Sequence, residues 1–352
     1  MRFLARQTIK GFVLMVSLST VVILTSIVVL NAQPSTDQQN SQSPVQKRID
    51  IIDDSFGRFT TESTTIVQGG WGAAEGEFGL FEPQGEGEKE GPMSYCVDGK
   101  SNVYVLDQVN LRVQKFGPQG NFVSAIPIDN RTADRILVDS NENVYVFDLW
   151  CKREVAAYNN IGELIQKMSL NVGENTTTGG ISEVFVQNDD IYAEDAETGR
   201  MYELGSAGTI LEFHNQRSIE LPGRFQKGTG NHLYLKPSND GAVVDIVERE
   251  GKLNTSIAFN SKRKVHNYVE LTSDSSGNIY LGAYLVKQSG LNFVDSQFSF
   301  IKATRSGEIL GKAEMPTNLY VPTRHPFYVT DDGNLYQLQT LKDGLRVVKW
   351  QI

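Results

Sequence analysis

Between Gly91 and Val123 the chain alternates short apolar runs with polar turns: Met-Ser-Tyr-Cys-Val, then Asn-Val-Tyr-Val-Leu-Asp, then Arg-Val-Gln-Lys-Phe, then Asn-Phe-Val. Each run is strand-length and rich in β-formers, and each break carries Gly, Asn or Asp, so the stretch predicts four short strands joined by tight turns. The grammar recurs. An apolar-Tyr-apolar core appears at Val103-Tyr104-Val105, Val144-Tyr145-Val146, Ile191-Tyr192-Ala193, Leu233-Tyr234-Leu235, Ile279-Tyr280-Leu281 and, in part, Leu335-Tyr336-Gln337. Successive tyrosines are 41, 47, 42, 46 and 56 residues apart. Such a period, with four strands per unit, predicts propeller blades. Val103 and Val105 fall on one face of the second strand and Tyr104 and Leu106 on the other, as expected of a sheet covered on both sides.

The punctuation repeats as well. A polar turn precedes the tyrosine strand at Asp98–Asn102, Asp139–Asn143, Asp274–Asn278 and Asp331–Asn334. A glycine follows the third strand at Gly120, Gly162, Gly208, Gly251 and Gly307, each with an apolar residue two positions later. The sixth unit reaches Trp350 with no fourth strand, which leaves an unpaired edge. Ser63–Gln68, before the first unit, is β-rich and unassigned, and is expected to complete that last blade. The expectation is an all-β, six-bladed β-propeller of four-stranded blades over residues 48–352, with its N-terminal strand closing the last blade.

This grammar resembles that of NHL-repeat propellers, and the first unit carries it best through Pro92, Asp98, Tyr104, Asp107, Asn110, Arg112 and Phe116. Units four to six lack the family's Asp and Arg, and the fifth has an insertion around Val286–Gln297. Asp107 with Arg112, Asp148 with Arg153, and Asp195 with Arg200 share one five-residue spacing. The resemblance implies that these are structural ion pairs across the turn between strands two and three.

The N-terminus stands apart. Arg2, Arg6 and Lys10 precede an uncharged, apolar-dominated run over residues 11–30. Twenty such residues suffice to span a bilayer as a helix, and basic residues before the run place the N-terminus in the cytoplasm. Residues 1–32 therefore read as a membrane anchor, or alternatively as a signal sequence followed by secretion; the length of the run favours the anchor. Residues 33–47, rich in Gln, Ser and Pro, read as a flexible stalk. Either way the remainder is expected outside the cytoplasm. The formal net charge of −9 argues against nucleic acid as a partner. Cys96 and Cys151 fall at places that need not meet and are expected to be unpaired thiols.

Candidate chemistry is sparse. No nucleophile elbow, phosphate loop or Cys-His cluster occurs, and no cofactor and no catalytic residue is assigned. Channel-mouth candidates, at the starts of first strands, are Arg131, Arg135, Glu183 and Arg224 in units two to four. In units five and six they are His266, Asn267, Glu270, Arg324 and His325. Resemblance to amidating lyases would make His266 and His325 part of a zinc site, but three convergent imidazoles are needed and no third histidine holds a matching place; no metal is assigned. The acidic Gly-rich run from Glu75 to Glu90 lacks the ligand spacing of a calcium loop. Asn130-Arg-Thr132, Asn175-Thr-Thr177 and Asn254-Thr-Ser256 match glycosylation acceptors, a pattern too short to carry weight. The leading expectation is a module that binds an unidentified protein or small-molecule ligand at the channel mouth. The alternative is a hydrolase or lyase of gluconolactonase-like or amidating-lyase-like type, with its site in the channel.

Overall fold

In the computed structural model the described residues are 47–56, 62–170, 180–187, 189–196, 201–206, 218–219, 223–238, 240–289, 292–317 and 319–352. The expected anchor (1–32) and all of the stalk but Lys47 lie outside them. No helix among the described residues is long and apolar enough to cross a membrane.

Two strands precede the blades, β1 (Lys47–Asp54) and β2 (Ser63–Gly70). Six sheets follow. The first three are β3–β6 (Ser94–Val97, Val103–Asp107, Arg112–Phe116, Phe122–Pro127), β7–β10 (Arg135–Val138, Val144–Asp148, Glu154–Tyr158, Leu164–Ser169) and β11–β14 (Ile181–Gln187, Asp190–Asp195, Met201–Ser206, Ser218–Ile219). The fourth is β15–β18 (Arg224–Gln226, Asn231–Ser238, Gly241–Val247, Leu253–Asn260), and the fifth is β19–β22 (Lys264–Ser273, Ile279–Ser289, Asn292–Ala303, Ile309–Met315). The sixth is β23–β25 (Phe327–Val329, Leu335–Leu341, Gly344–Trp350), with β2 as its outer strand. The chain is a six-bladed β-propeller.

The turn motif explains the tyrosines. Asp98 Oδ1 accepts the amides of Lys100 and Asn102, and its Oδ2 accepts the Asn102 amide group and the Tyr104 hydroxyl. Asp139 with Asn143 and Tyr145, and Asp274 with Asn278 and Tyr280, repeat the set. A phenol can therefore sit in an otherwise apolar strand because one carboxylate at its foot satisfies the hydroxyl. In the sixth blade Thr330 Oγ1, not an aspartate, accepts the Asn334 amide, so that turn begins one residue earlier than the sequence pattern suggests.

The two apolar faces of β4 enter different cores. Val103 and Val105 pack with Val67, Leu338 and Val347 of the sixth blade, while Tyr104 and Leu106 pack with Ile136, Val144 and Val146 of the second. β2 pairs antiparallel with β25, Val67 opposite Val347 and Thr65 opposite Val348, which latches the ring. The turn after β5 lies against this strand: a Cβ on Gly120 would stand 1.8 Å from the Ile66 carbonyl oxygen, and only glycine fits there at its positive φ of 80°.

One strand departs from the sequence reading. β1 adds to β18 in parallel register, Lys47 opposite Thr255 and Ile49 opposite Ile257, and makes the fourth blade five-stranded. Ser63–Gln68 is therefore not the sole extended segment ahead of the first blade. Ile49, Ile51 and the fully buried Phe56 pack into the core between the fourth and fifth blades. Ser299 donates to the Phe56 carbonyl at 2.9 Å, and Lys312 to that of Asp54 at 2.6 Å. The fifth-unit insertion continues β20 and β21 into a long hairpin.

Candidate functional site

Antiparallel order within each blade puts the beginnings of all inner strands (β3, β7, β11, β15, β19, β23) on one side of the ring, with the turns between second and third strands; this is the upper face. Charged residues placed there by the inner strands meet across the axis. Arg135, first residue of β7, lies 3.0 Å from Glu183 of β11 through Nε and Oε1. The other Glu183 oxygen is 3.4 Å from His325 Nδ1, contributed by the sixth blade. Glu194 sits opposite Glu183 on β12 and is 3.5 Å from Arg224 Nη2. Arg224 Nη1 in turn is 3.1 Å from Glu270 Oε1 on β19 and donates to the Leu271 carbonyl at 3.1 Å. The third and sixth blades face each other across a six-bladed ring, so the network closes the axis at this level. Five of the nine residues expected at the mouth are thus brought together, and Glu194 joins them.

Their electrostatics follow from burial and neighbours. Burial would raise Glu183, but Arg135, His325 and Arg224 together outweigh it and hold its carboxyl well below the usual range. Burial, with Arg135 beside it, lowers His325 despite the opposing pull of Glu183. Burial raises Glu270, with Arg224 opposing. Asp134, next to Arg135 in sequence, is pushed by burial up to about 7, against the Leu149 amide and Arg324.

The other four candidates lie around the rim. Arg324 is held by its own backbone amide, which donates to the Met93 carbonyl at 3.0 Å, and its guanidinium lies 5.0 Å over the Trp150 ring. Arg131 pairs with Glu90 at 2.8 Å and covers Phe81. His266 is exposed and meets Tyr284 edge-on at 5.6 Å. Asn267 lies in a stretch of β19 broken by two register shifts, between Val265 and Asn267 and between Tyr268 and Glu270. Bulges of this kind re-aim side chains. There the Asn267 side-chain oxygen Oδ1 and the Tyr268 hydroxyl are buried with no hydrogen-bond partner among the described residues.

The Asp-Arg spacings resolve differently. Arg112 Nε meets Asp107 at 2.8 Å, and the same guanidinium donates to the carbonyls of Ala73, Ala74 and Glu77; Gly79 donates its amide to Asp107. The pair thereby fastens the Gly-rich lead-in onto the first blade. In the second blade no ion pair joins Asp148 to Arg153. Asp148 is taken by Asn130, Thr132 and the amides of Cys151 and Lys152, while Arg153 adopts a φ of 50° and is exposed. Asp195 is buried, and Arg200 lies outside the described residues. Asn130 is also buried, which removes it as a glycosylation acceptor in the folded protein. Both cysteines are free, Cys96 buried and Cys151 exposed. Among the described residues no three His, Cys, Asp or Glu side chains are grouped to hold a metal ion.

No protein-family model matches the sequence, and no curated protein sequence matches it. Among solved structures, a member of the DUF4221 family from Bacteroides vulgatus superposes with a TM-score of 0.51 at 12% identity, covering 82% of this chain and 97% of that one. A streptogramin B lyase gives 0.42 at 13% identity, over 73% of this chain and 92% of that one. A catalytically inactive virginiamycin B lyase from Staphylococcus aureus with quinupristin gives 0.44 at 13%, over 78% and 100%. The first likeness supports the propeller fold; the lyases, at those scores, bear no weight on function.

Three residues at the mouth escaped the sequence reading. Glu194 sits in a second strand, where only its charge amid apolar neighbours could have marked it. Asp134 directly precedes an assigned arginine. Trp150, half exposed in the β8–β9 turn, is a large aromatic where turn chemistry favours small polar residues. A cleft of about 400 Å³ between β2 and the β24–β25 turn, lined by Gln68, Leu341 and Asp343, lies at the outer part of the sixth blade. It contains none of the axial charges, and the mouth is the better-founded site.

Proposed function

We propose that the protein is a recognition module that binds a small molecule or a protein segment at the upper mouth of its ring. The observation supporting this is the axial network: Arg135, Glu183, His325, Arg224, Glu194 and Glu270 engage one another, which gives a rigid charged floor rather than a nucleophile poised beside a base. A defined panel of mono- to trisaccharides, amino acids and tripeptides, screened by thermal shift, tests the reading. Compounds that raise the melting temperature should lose that effect in Trp150→Ala and keep it in Lys100→Ala on the lower face. Shifts that survive Trp150→Ala and vanish in Lys100→Ala would overturn the assignment.

A hydrolase or lyase is the second reading. It is favoured by Asp134, whose carboxyl burial pushes up to about 7, and by His325, held against a carboxylate in the same mouth. Chemical conversion of a bound compound, followed by mass spectrometry, would select it.

The basic-then-apolar order of residues 1–30 supports export, with the propeller tethered outside the cytoplasm through residues 11–30 or secreted after cleavage. Protease added to intact cells should then digest residues 47–352. Full protection would exclude export.

A further inference from the structure

Arg324 differs from the other arginines around the mouth. Arg131, Arg135 and Arg224 each have a carboxylate within ion-pair distance, whereas among the described residues no carboxylate is paired with Arg324. Its neighbour is the Trp150 ring, 5.0 Å from the guanidinium carbon, and that ring remains 50% exposed. A guanidinium fixed by an aromatic face retains edge N–H donors for a bidentate acceptor. The next residue, His325, touches Glu183, so the floor carries the carboxylates of Glu183, Glu194 and Glu270 against two guanidiniums, and Asp134 lies within electrostatic reach of Arg324 without forming an ion pair with it. Such a floor disfavours a dianionic phosphate more than a monoanion, while carboxylate lone pairs not engaged by the guanidiniums accept from hydroxyl groups.

We propose that the mouth takes an acidic sugar of the uronate class, its carboxylate held by Arg324, its apolar ring face laid on Trp150 and its hydroxyls directed to the carboxylates of the floor. The proposal rests on the mouth being the binding surface, as proposed above. A monoanion with several hydroxyls and one flat apolar face satisfies all three observations at once: an unpaired guanidinium, a half-exposed indole and an acceptor-rich floor.

The test is titration of the purified full chain with the monoanion galacturonate, its neutral counterpart galactose and the tripeptide Gly-Gly-Phe, followed by calorimetry and tryptophan fluorescence. Galacturonate should bind at least tenfold more tightly than galactose. Arg324→Gln should lose at least tenfold in galacturonate affinity, Arg324→Lys should fall between, and Lys100→Ala, on the lower face, should be unchanged. The lysine variant keeps the test valid if the glutamine variant does not fold. Equal affinity for the acidic and neutral sugars, no loss in Arg324→Gln, or binding of the tripeptide alone would each overturn the uronate proposal. Absence of sugar binding alongside other panel compounds that depend on Trp150 would overturn it while leaving the mouth as the binding surface.

Discussion

A chain beginning at residue 71 should not form the cooperative fold, whereas one beginning at residue 47 should melt as the intact domain does. The difference is β2. Val67 is fully buried between the sixth and first blades, and the strand is paired along the whole of β25. Burial of one such side chain contributes about 1.5–3 kcal/mol, and each backbone hydrogen bond roughly 1 kcal/mol net. Losing the strand also uncovers Leu345 and Val347 and exposes a sheet edge. The total is comparable with the whole stability of a domain, about 5–15 kcal/mol. A third truncation, beginning at residue 57, removes β1 and Phe56 but keeps the latch; it should fold yet lose at least about 3–5 kcal/mol, the usual cost of emptying a buried phenylalanine site alone. Thermal melts followed by circular dichroism rank the three chains. If the chains beginning at 47 and 71 share one midpoint, the ring does not depend on β2 for closure.

Replacing Glu183 by Gln should cost about 3–5 kcal/mol at neutral pH, because Arg135 has no other carboxylate within ion-pair distance among the described residues and would remain buried and charged. The pH dependence has a definite sign. The folded state holds Glu183 below its unfolded value, so its contribution is complete above the unfolded pKa of about 4.3 and is lost as pH falls through the folded value. The stability gap between wild type and Glu183→Gln should therefore be constant from neutrality down to about pH 5 and narrow below that. Urea titrations at stepped pH measure it. A gap that widens on acidification would show that Glu183 is not held as an ion-paired carboxylate.

The blades were legible because their signal is local. Asp98, Asn102 and Tyr104 specify the turn, the start of the strand and the seat of the hydroxyl within seven residues, and three blades repeat the set. Closure was legible through the missing fourth strand of the last unit. β1 was not: a parallel addition needs no hairpin turn, and Lys-Arg-Ile-Asp-Ile-Ile-Asp-Asp carries enough charge to pass for a solvated segment. At the mouth, position within the repeat singled out Arg135, Glu183, Arg224, Glu270 and His325, because the start of an inner strand faces the axis whatever residue occupies it. Which of them touch was beyond the sequence, since Glu183 and His325 are 142 residues apart and meet only through the curvature of the ring. The Asp148 and Arg153 spacing shows the converse limit: it equals that of Asp107 and Arg112, yet local competition from Asn130 and Thr132 fills the carboxylate.

The parallel pairing of β1 with β18 also has a mechanical meaning. Lys47 lies at the lower end of that pair and Asp54 at the upper, so tension arriving from the N-terminal side runs along the strand axis. Its rungs are then loaded together, in shear, instead of being peeled one after another. Phe56, locked between two blades beyond the far end of the strand, acts as the stopper on that line. A pull on the chain ahead of Lys47 would be taken up at the rim of the fourth blade before it reached β2.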